Sequence, residues 1–252
     1  MRVTVLGKSP SWQDAGGACS GYLVEEAGTR LLLDCGNGVF AKLRAVADYA
    51  AVDAVLVSHL HADHVLDLVP FAYALTYGPR GRGSRPLLHA PAGAGAFFRR
   101  VVGAWGGEDL VEAAFALREY APEDVLELGP LTARLQPVPH FTATHAIELT
   151  SARTGGRFTF SADTGPSDAL VAFAAGTDLL LIEATLPQPE PDGPRGHLTA
   201  AEAGAHGRRA GARRLVLTHL TDELDADAAR VDAEQAFGGP VELARELAVY
   251  EL

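Results

Sequence analysis

The chain has 252 residues, 48% of them hydrophobic, and carries a formal net charge of −11 from 21 basic and 32 acidic residues. This length and apolar content predict a globular protein with a large core. No apolar stretch approaches the roughly 20 residues that a membrane-spanning helix needs, so we expect no membrane association. The acidic balance disfavours a general nucleic-acid surface, although it is compatible with a local basic patch.

The cysteine content indicates the cellular compartment. Cys19 and Cys35 are the two cysteines of the chain, too few for a disulfide framework, which predicts a reducing, cytoplasmic environment. Residues 1–7 are typical of a first strand and turn, and they lack the long apolar region of a signal peptide. Cys35 is expected to be a small buried residue, with nucleophile or ligand as the less favoured alternative.

Alternating apolar residues and turn residues predict the elements of the first quarter of the chain. In chain order these are a strand over 1–6, a loop over 7–21, a hairpin with strands Tyr22–Glu25 and Arg30–Asp34, a helix over 40–50 and a strand over 53–58. Gly36 and Gly38 follow the hairpin and permit a tight turn that brings backbone close to a neighbouring segment.

Three imidazoles and one carboxylate directly follow the strand over 53–58, as His59, His61, Asp63 and His64. If the backbone stays extended, His59 and His61 point to the same side, because side chains alternate along a strand. Asp63 and His64 then fall where the chain turns into a helix, so they can face a second ion. This ligand set suits zinc and also manganese or iron.

The middle of the chain continues with alternating helices and strands. The predicted elements are a helix over 65–77, a strand over 87–89, helices over 92–102 and 110–117, and strands over 125–128 and 131–138. Between them, Arg80, Arg82 and Arg85 lie in a glycine-rich stretch that could hold a substrate phosphate, although a solvated loop is favoured. No Pro- or Ser-rich linker interrupts the pattern, which predicts one domain over 1–252.

Further histidines and carboxylates follow apolar runs in the second half. His140 directly follows the strand over 131–138, with His145 as its competitor; Asp163 ends the run that starts at Phe158, Glu183 the run from Asp178, and His219 the run from Arg214. His197 lies in a loop that enters a helix. A helix over 225–237 and closing strands over 241–252 carry no recognisable chemistry.

The stretch from His59 to His64 resembles the His-x-His-x-Asp-His signature of the metallo-β-lactamase-fold hydrolases. The resemblance implies an α/β fold: a four-layer αβ/βα sandwich of two mixed sheets with helices outside. It also implies that His59, His61 and His140 bind one divalent metal ion, that Asp63, His64 and His219 bind another, and that Asp163 bridges them. Zinc is the first expectation. Water held between the ions would ionise near a pH of about 7, with Asp63 orienting it.

Two further elements are similar to those of the tRNase Z branch and its smaller phosphodiesterase relatives. They are Glu183-Ala184-Thr185 and the segment Gly196 to Gly204. By this resemblance, Glu183 holds His197, and His197 protonates the leaving oxygen or stabilises the transition-state phosphate.

Departures from that branch bear on the substrate. Only 23 positions separate His140 from Asp163, too few for the arm that binds tRNA. Asp67 and Ala162 stand where the branch has glycines, and Ile182 where it has a histidine.

The sequence therefore favours a dinuclear phosphodiesterase that acts on a small phosphodiester, such as a 3′,5′-cyclic nucleotide. The alternatives are a tRNA 3′-end endonuclease, an ester, thioester or lactone hydrolase, and, least favoured, a metal-binding scaffold without turnover. Homodimers are common in the resembling family, but no residue locates an interface here.

Overall fold

The computed structural model of the chain describes residues 1–81, 83–190 and 193–252. Its strands follow the apolar runs of the sequence. They are β1 (Arg2–Gly7), β2 (Gly21–Glu26), β3 (Thr29–Leu33), β4 (Ala54–Leu56), β5 (Leu87–Pro91), β6 (Ala116–Tyr120), β7 (Val125–Leu128), β8 (Leu131–Val138), β9 (Thr144–Ser151), β10 (Arg157–Phe160), β11 (Leu179–Glu183), β12 (Arg214–Thr218), β13 (Val241–Leu243) and β14 (Val249–Glu251).

Short helices connect the strands. They are α1 (Val39–Val46), α2 (Ala62–Val65), α3 (Leu68–Tyr77), α4 (Ala94–Gly103), α5 (Leu110–Ala114), α6 (Asp168–Phe173), α7 (Ala200–Ala210) and α8 (Ala226–Phe237). Their ends follow ordinary capping chemistry: Thr199 and Glu202 form a capping box at the start of α7, and Gly211 ends that helix in the left-handed conformation.

The strands form two mixed sheets of seven strands each, ordered β14-β1-β2-β3-β4-β5-β6 and β13-β12-β11-β10-β9-β8-β7. In each sheet one half is antiparallel and the other half parallel. Because β10, β11 and β12 are parallel, their carboxyl ends meet at one edge, where Asp163 and His219 follow their strands and Glu183 ends β11.

Successive side chains along a strand face opposite sides of the sheet, and this alternation produces the layers. Leu31 faces the second sheet, whereas its neighbour Leu32 faces the helices on the outside. In the second sheet Leu181 faces the first sheet and Leu180 faces the outer helices. All four side chains are at most 1% exposed, as expected for strands covered on both faces. The predicted four-layer αβ/βα sandwich is confirmed.

Several predicted elements differ from the structure, among them the helix over 40–50, which ends at Val46. The helix predicted over 110–117 ends at Ala114, and the edge strand β6 begins at Ala116. No Gly or Pro marks this change, so an apolar run was wrongly extended as helix. Strand β9 was not predicted. The helix predicted over 65–77 is divided between α2 and α3, where the Asp67 carboxylate accepts a hydrogen bond from the Phe40 N–H at 2.9 Å.

Within the described ranges, none of the helices combines the length and the apolar character that crossing a bilayer requires.

Candidate metal and catalytic site

The structure brings all seven sequence-predicted ligand residues together at the edge where the strands end. They divide into two clusters: the first cluster comprises His59, His61, His140 and Asp163, and the second comprises Asp63, His64, His219 and Asp163. In each cluster one ligand atom per residue lies within 4.8 Å of all the others.

Local backbone structure places the motif residues in these two groups. His61 is the extended residue that precedes α2, and Asp63 and His64 belong to the first turn of that helix. Gly36 lies directly against this turn, since a Cβ added to it would be 1.8 Å from the Asp63 carbonyl oxygen. The predicted close approach of the glycine turn is therefore present, and its partner is the backbone of the metal motif.

Asp163 is shared because its two oxygens face different clusters. Oδ2 lies 3.8 Å from His59 Nε2 and 3.7 Å from His140 Nε2. Oδ1 lies 3.3 Å from His64 Nε2 and 3.4 Å from His219 Nε2. A carboxylate 2% exposed and placed in this way is suited to holding two cations close to each other.

Hydrogen bonds fix the orientation of His59 and His64. Asp34 accepts hydrogen bonds from the Ser58 N–H at 2.7 Å and the Ser58 hydroxyl at 2.8 Å. The His64 Nδ1–H donates to Asp34 at 2.7 Å. Since the Ser58 hydroxyl hydrogen is directed to Asp34, its oxygen accepts from His59 Nδ1 at 3.1 Å. Both imidazoles are thereby fixed with Nδ1 as the donor and Nε2 directed to the clusters.

The same arrangement holds for two other histidines. His140 Nδ1 donates to the Gly196 carbonyl at 2.8 Å. The Thr185 hydroxyl donates its hydrogen to Glu183 at 2.8 Å, so the 2.7 Å contact with His219 requires the hydrogen to lie on His219 Nδ1. Four imidazoles thus donate from Nδ1 and direct Nε2 to the two clusters. Burial disfavours a charged His64, but the carboxylates of Asp163 and Asp34 prevail and raise the pKa of His64, which favours a proton on Nε2 that a bound cation would displace.

The donor atoms fit metal ions. Tetrahedral zinc with Zn–N bonds of about 2.0–2.1 Å separates its ligand atoms by about 3.3 Å. His61 Nδ1 lies 3.2 Å from His59 Nε2 and 3.0 Å from His140 Nε2. In the second cluster Asp63 Oδ2 lies 3.2 Å from His219 Nε2. His64 Nε2 is buried with no hydrogen-bond partner, a cost of about 1–3 kcal/mol that a bound cation would remove.

The protonation states also favour cations. Burial lowers the pKa of His59, His61 and His140, which keeps these imidazoles in the neutral form that binds metals. Burial alone would raise the pKa of Asp63 and Asp163. Hydrogen bonds and charge from the neighbouring histidines instead hold the pKa of both carboxyls below the usual range.

Glu183 and His197 form a pair beside the clusters. Glu183 is fully buried and accepts hydrogen bonds from the N–H groups of Thr164, Thr185 and Leu198, at 2.9, 3.0 and 3.2 Å. It also accepts one from His197 Nδ1 at 2.8 Å. Burial disfavours the imidazolium, but the hydrogen bond and charge of Glu183 prevail and raise the pKa of His197.

Other candidate residues lie outside the clusters. His145 is the second residue of β9, and its ring contacts Tyr120, whose hydroxyl is 3.4 Å from His145 Nδ1. Arg80 lines a cavity with Arg44 and Tyr49, and Arg85 donates to the Glu112 carbonyl. Arg85 precedes β5, whose parallel neighbour β4 leads into the metal motif at its other end, so Arg85 lies at the opposite edge of the sheet. Arg82 lies outside the described residues.

Sequence reasoning missed Asp34 and the hydroxyl of Thr185. The sequence presents Asp34 as the end of a hairpin strand and Thr185 as part of a motif. Asp34 directly follows an apolar strand parallel to β4, as the predicted ligands follow theirs, but ordinary strand ends share this position.

Three residues at this edge, Asp34, Ala162 and His219, have φ values of 54°, 52° and 59°. Such left-handed backbone costs a non-glycine residue about 1–2 kcal/mol and is concentrated at functional sites. At the position of Ala162 the tRNase Z branch has glycine. The left-handed backbone at this position is a physical reason for that glycine.

We expect Ala162→Gly to change the free energy of unfolding by less than about 1 kcal/mol. Relief of the left-handed strain offsets the loss of a buried methyl group and the greater freedom of the unfolded chain. Ala133→Gly, at a fully buried position within β8, lacks that relief and should lose about 1–2 kcal/mol. Denaturant unfolding of both variants checks this, and equal losses would contradict it.

Comparison with known proteins identifies the family. The chain belongs to the beta-lactamase superfamily, whose domain model matches residues 29–220. The predicted relationship to tRNase Z-like hydrolases of the metallo-β-lactamase fold is confirmed.

The chain is similar to three relatives over nearly its whole length. The uncharacterized protein Rv1339 of Mycobacterium tuberculosis is 35% identical over 96% of this chain and 88% of its own length. The probable metallo-hydrolase YhfI of Bacillus subtilis is 29% identical over 100% of both chains. Its crystal structure superposes with a TM-score of 0.88 over 99% of this chain and 98% of that one, at 28% identity. Ribonuclease Z of Halorubrum lacusprofundi is 30% identical over 95% of this chain and 93% of its own.

Proposed function

We propose that the chain is a dinuclear metal-dependent phosphodiesterase that acts on a small substrate such as a 3′,5′-cyclic nucleotide. The observation that carries the proposal is Asp163, whose two oxygens are divided between the clusters next to the Glu183–His197 pair. Two cations would give a place to activate water, and a half-buried acid beside them gives a place to protonate a leaving group.

The proposed ligands follow the clusters. His59, His61 and His140 would hold one ion, Asp63, His64 and His219 would hold the other, and Asp163 would be shared between them. Two divalent ions, with zinc preferred and manganese or iron as alternatives, would supply an activated water and offset negative charge on the phosphate oxygens. Asp63 would accept a hydrogen bond from that water and orient it toward phosphorus.

His197 is the proposed general acid. Its Nδ1–H is bound to Glu183, so Nε2 is left for the substrate, and Glu183 stabilises the charged imidazolium. The ring centroid of His197 lies 5.0 Å from that of His140 and 5.7 Å from that of His219. The imidazole is therefore beside both clusters, where the leaving alkoxide of a phosphodiester would develop.

The surrounding charges support a small substrate. Lys8 pairs with Asp14 and donates to the Leu220 carbonyl at 2.8 Å. Arg195 pairs with both carboxylate oxygens of Glu202, each at 2.6 Å. These two cations beside the site are therefore already neutralised, whereas RNA binding depends on cations free to contact phosphates.

The second candidate function is a tRNA 3′-end endonuclease. The observation that supports it is the similarity of the chain to ribonuclease Z.

The test is hydrolysis of 3′,5′-cyclic AMP by the chain reconstituted with zinc or manganese. We expect product formation that requires the metal and is lost in Asp63→Ala, because the attacking water is then no longer oriented. Cleavage of precursor tRNA at the 3′ end, without turnover of the cyclic nucleotide, would favour the endonuclease. Turnover of thioesters or lactones alone would refute phosphodiester chemistry.

A further inference from the structure

Phe141 is a large apolar side chain left open to solvent at the candidate site. It directly follows His140 in sequence, and 61% of its surface is exposed. Single exposed apolar residues are common on protein surfaces, so exposure alone carries no argument. The position of Phe141 relative to the proposed catalytic residues carries the argument.

The Phe141 ring stands next to two functional imidazoles. Its centroid lies 5.1 Å from that of His140 and 6.0 Å from that of His197, at interplanar angles of 49° and 64°. His140 belongs to the first cluster and His197 is the proposed acid. The ring is therefore at the rim of the site, on the side where the leaving group would depart.

The ring also packs on backbone. A Cβ added to Gly196 would lie 2.4 Å from Cε2 and 2.7 Å from Cζ of Phe141, so the ring lies this close because residue 196 is glycine. The carbonyl of the same glycine accepts the hydrogen bond from His140 Nδ1 at 2.8 Å. One edge of the ring packs on backbone that also orients a ligand histidine, while much of the remaining ring surface stays open.

We infer that Phe141 is a substrate-binding residue that stacks on the nucleobase, which deepens the proposed function and rests on it. An exposed aromatic ring that packs on backbone next to a phosphodiester site provides a stacking partner for a flat heteroaromatic group. The ribose of a nucleotide separates base and phosphate, so a base on Phe141 keeps the phosphodiester beside His197. Stacking tolerates every base, since each has a π-face, so this residue selects for a base and not for its identity.

The test compares 3′,5′-cyclic AMP with the analogue that carries hydrogen in place of adenine. We expect Phe141→Leu to reduce the KM advantage of the base-bearing substrate by about 5- to 100-fold, the range that corresponds to stacking of one base. Phe141→Trp should retain the advantage. Trp105→Ala is the matched control, because Trp105 is 62% exposed and lies outside both clusters; it should leave the KM ratio unchanged. An unchanged ratio in Phe141→Leu would overturn the inference.

A binding measurement separates this inference from the proposed reaction. Calorimetric titration of the metal-loaded protein with AMP and with ribose 5-phosphate measures the contribution of the base without turnover. If cyclic AMP is not hydrolysed but AMP binds more tightly than ribose 5-phosphate, and Phe141→Leu removes that difference, the aromatic subsite stands and the reaction is wrong. Equal affinities of the unsubstituted protein for the two probes would overturn the subsite.

Discussion

The variant Asp163→Asn is expected to bind about one metal ion per chain in place of two and to lose turnover. The amide has the shape of the carboxylate but one acceptor oxygen and no charge. In either orientation it directs an NH₂ group at the imidazole nitrogens of one cluster, where it cannot bind a cation and would donate hydrogen bonds to the lone pairs that the metal needs. Substituting groups that only orient a ligand already costs about 10–100-fold in metal affinity, so loss of a shared ligand should cost at least about 100-fold.

The measurement is metal content by elemental analysis after dialysis, alongside turnover of 3′,5′-cyclic AMP. His145→Gln is the matched control, since His145 is buried close to the site and belongs to neither cluster. It should retain two ions and a rate within about threefold of the unsubstituted protein. Two tightly bound ions in Asp163→Asn would show that this carboxylate does not bridge the metals.

Much of the site could be predicted because its residues stand directly after apolar strands. His59, Asp163 and His219 each follow such a run, and the carboxyl ends of neighbouring strands meet at one edge of a sheet. The resemblance to the metallo-β-lactamase-fold hydrolases implied how these residues group, and their positions after strands agree with that grouping. The four layers were implied by the same resemblance, and the apolar runs agree with them because a strand covered on both faces is apolar at successive positions.

The contacts that complete the site could not be predicted, because they join residues distant in sequence. Asp34 and His64 are 30 positions apart, and Thr185 and His219 are 34 apart. Nothing local to Asp34 distinguishes it from an ordinary strand end. Strand β6 was missed for a related reason: its one partner, β5, is separated from it by two helices, and its sequence continues the apolar pattern of α5.

His197→Ala is expected to lower kcat for 3′,5′-cyclic AMP by about 10²–10⁴-fold, the usual contribution of a positioned general acid. The leaving oxygen of this substrate is an alkoxide, which departs slowly unless it is protonated. Glu183 raises the pKa of His197, which favours the protonated imidazole that an acid role requires. Steady-state kinetics at saturating substrate measure the loss, and kcat within about threefold of the original would exclude an acid role.

A second substrate decides whether His197 acts as an acid or only supports the site. A p-nitrophenyl phosphodiester releases a stabilised anion that needs no proton, so His197→Ala should slow it far less than it slows the cyclic nucleotide. Equal losses on both substrates would mean that the imidazole either stabilises phosphate charge or binds a metal ion. Metal content separates these two roles, because only a ligand role would lower the number of bound ions. A ligand role has a structural basis, since His197 lies close to His219 and Glu183 in a group that could itself hold an ion.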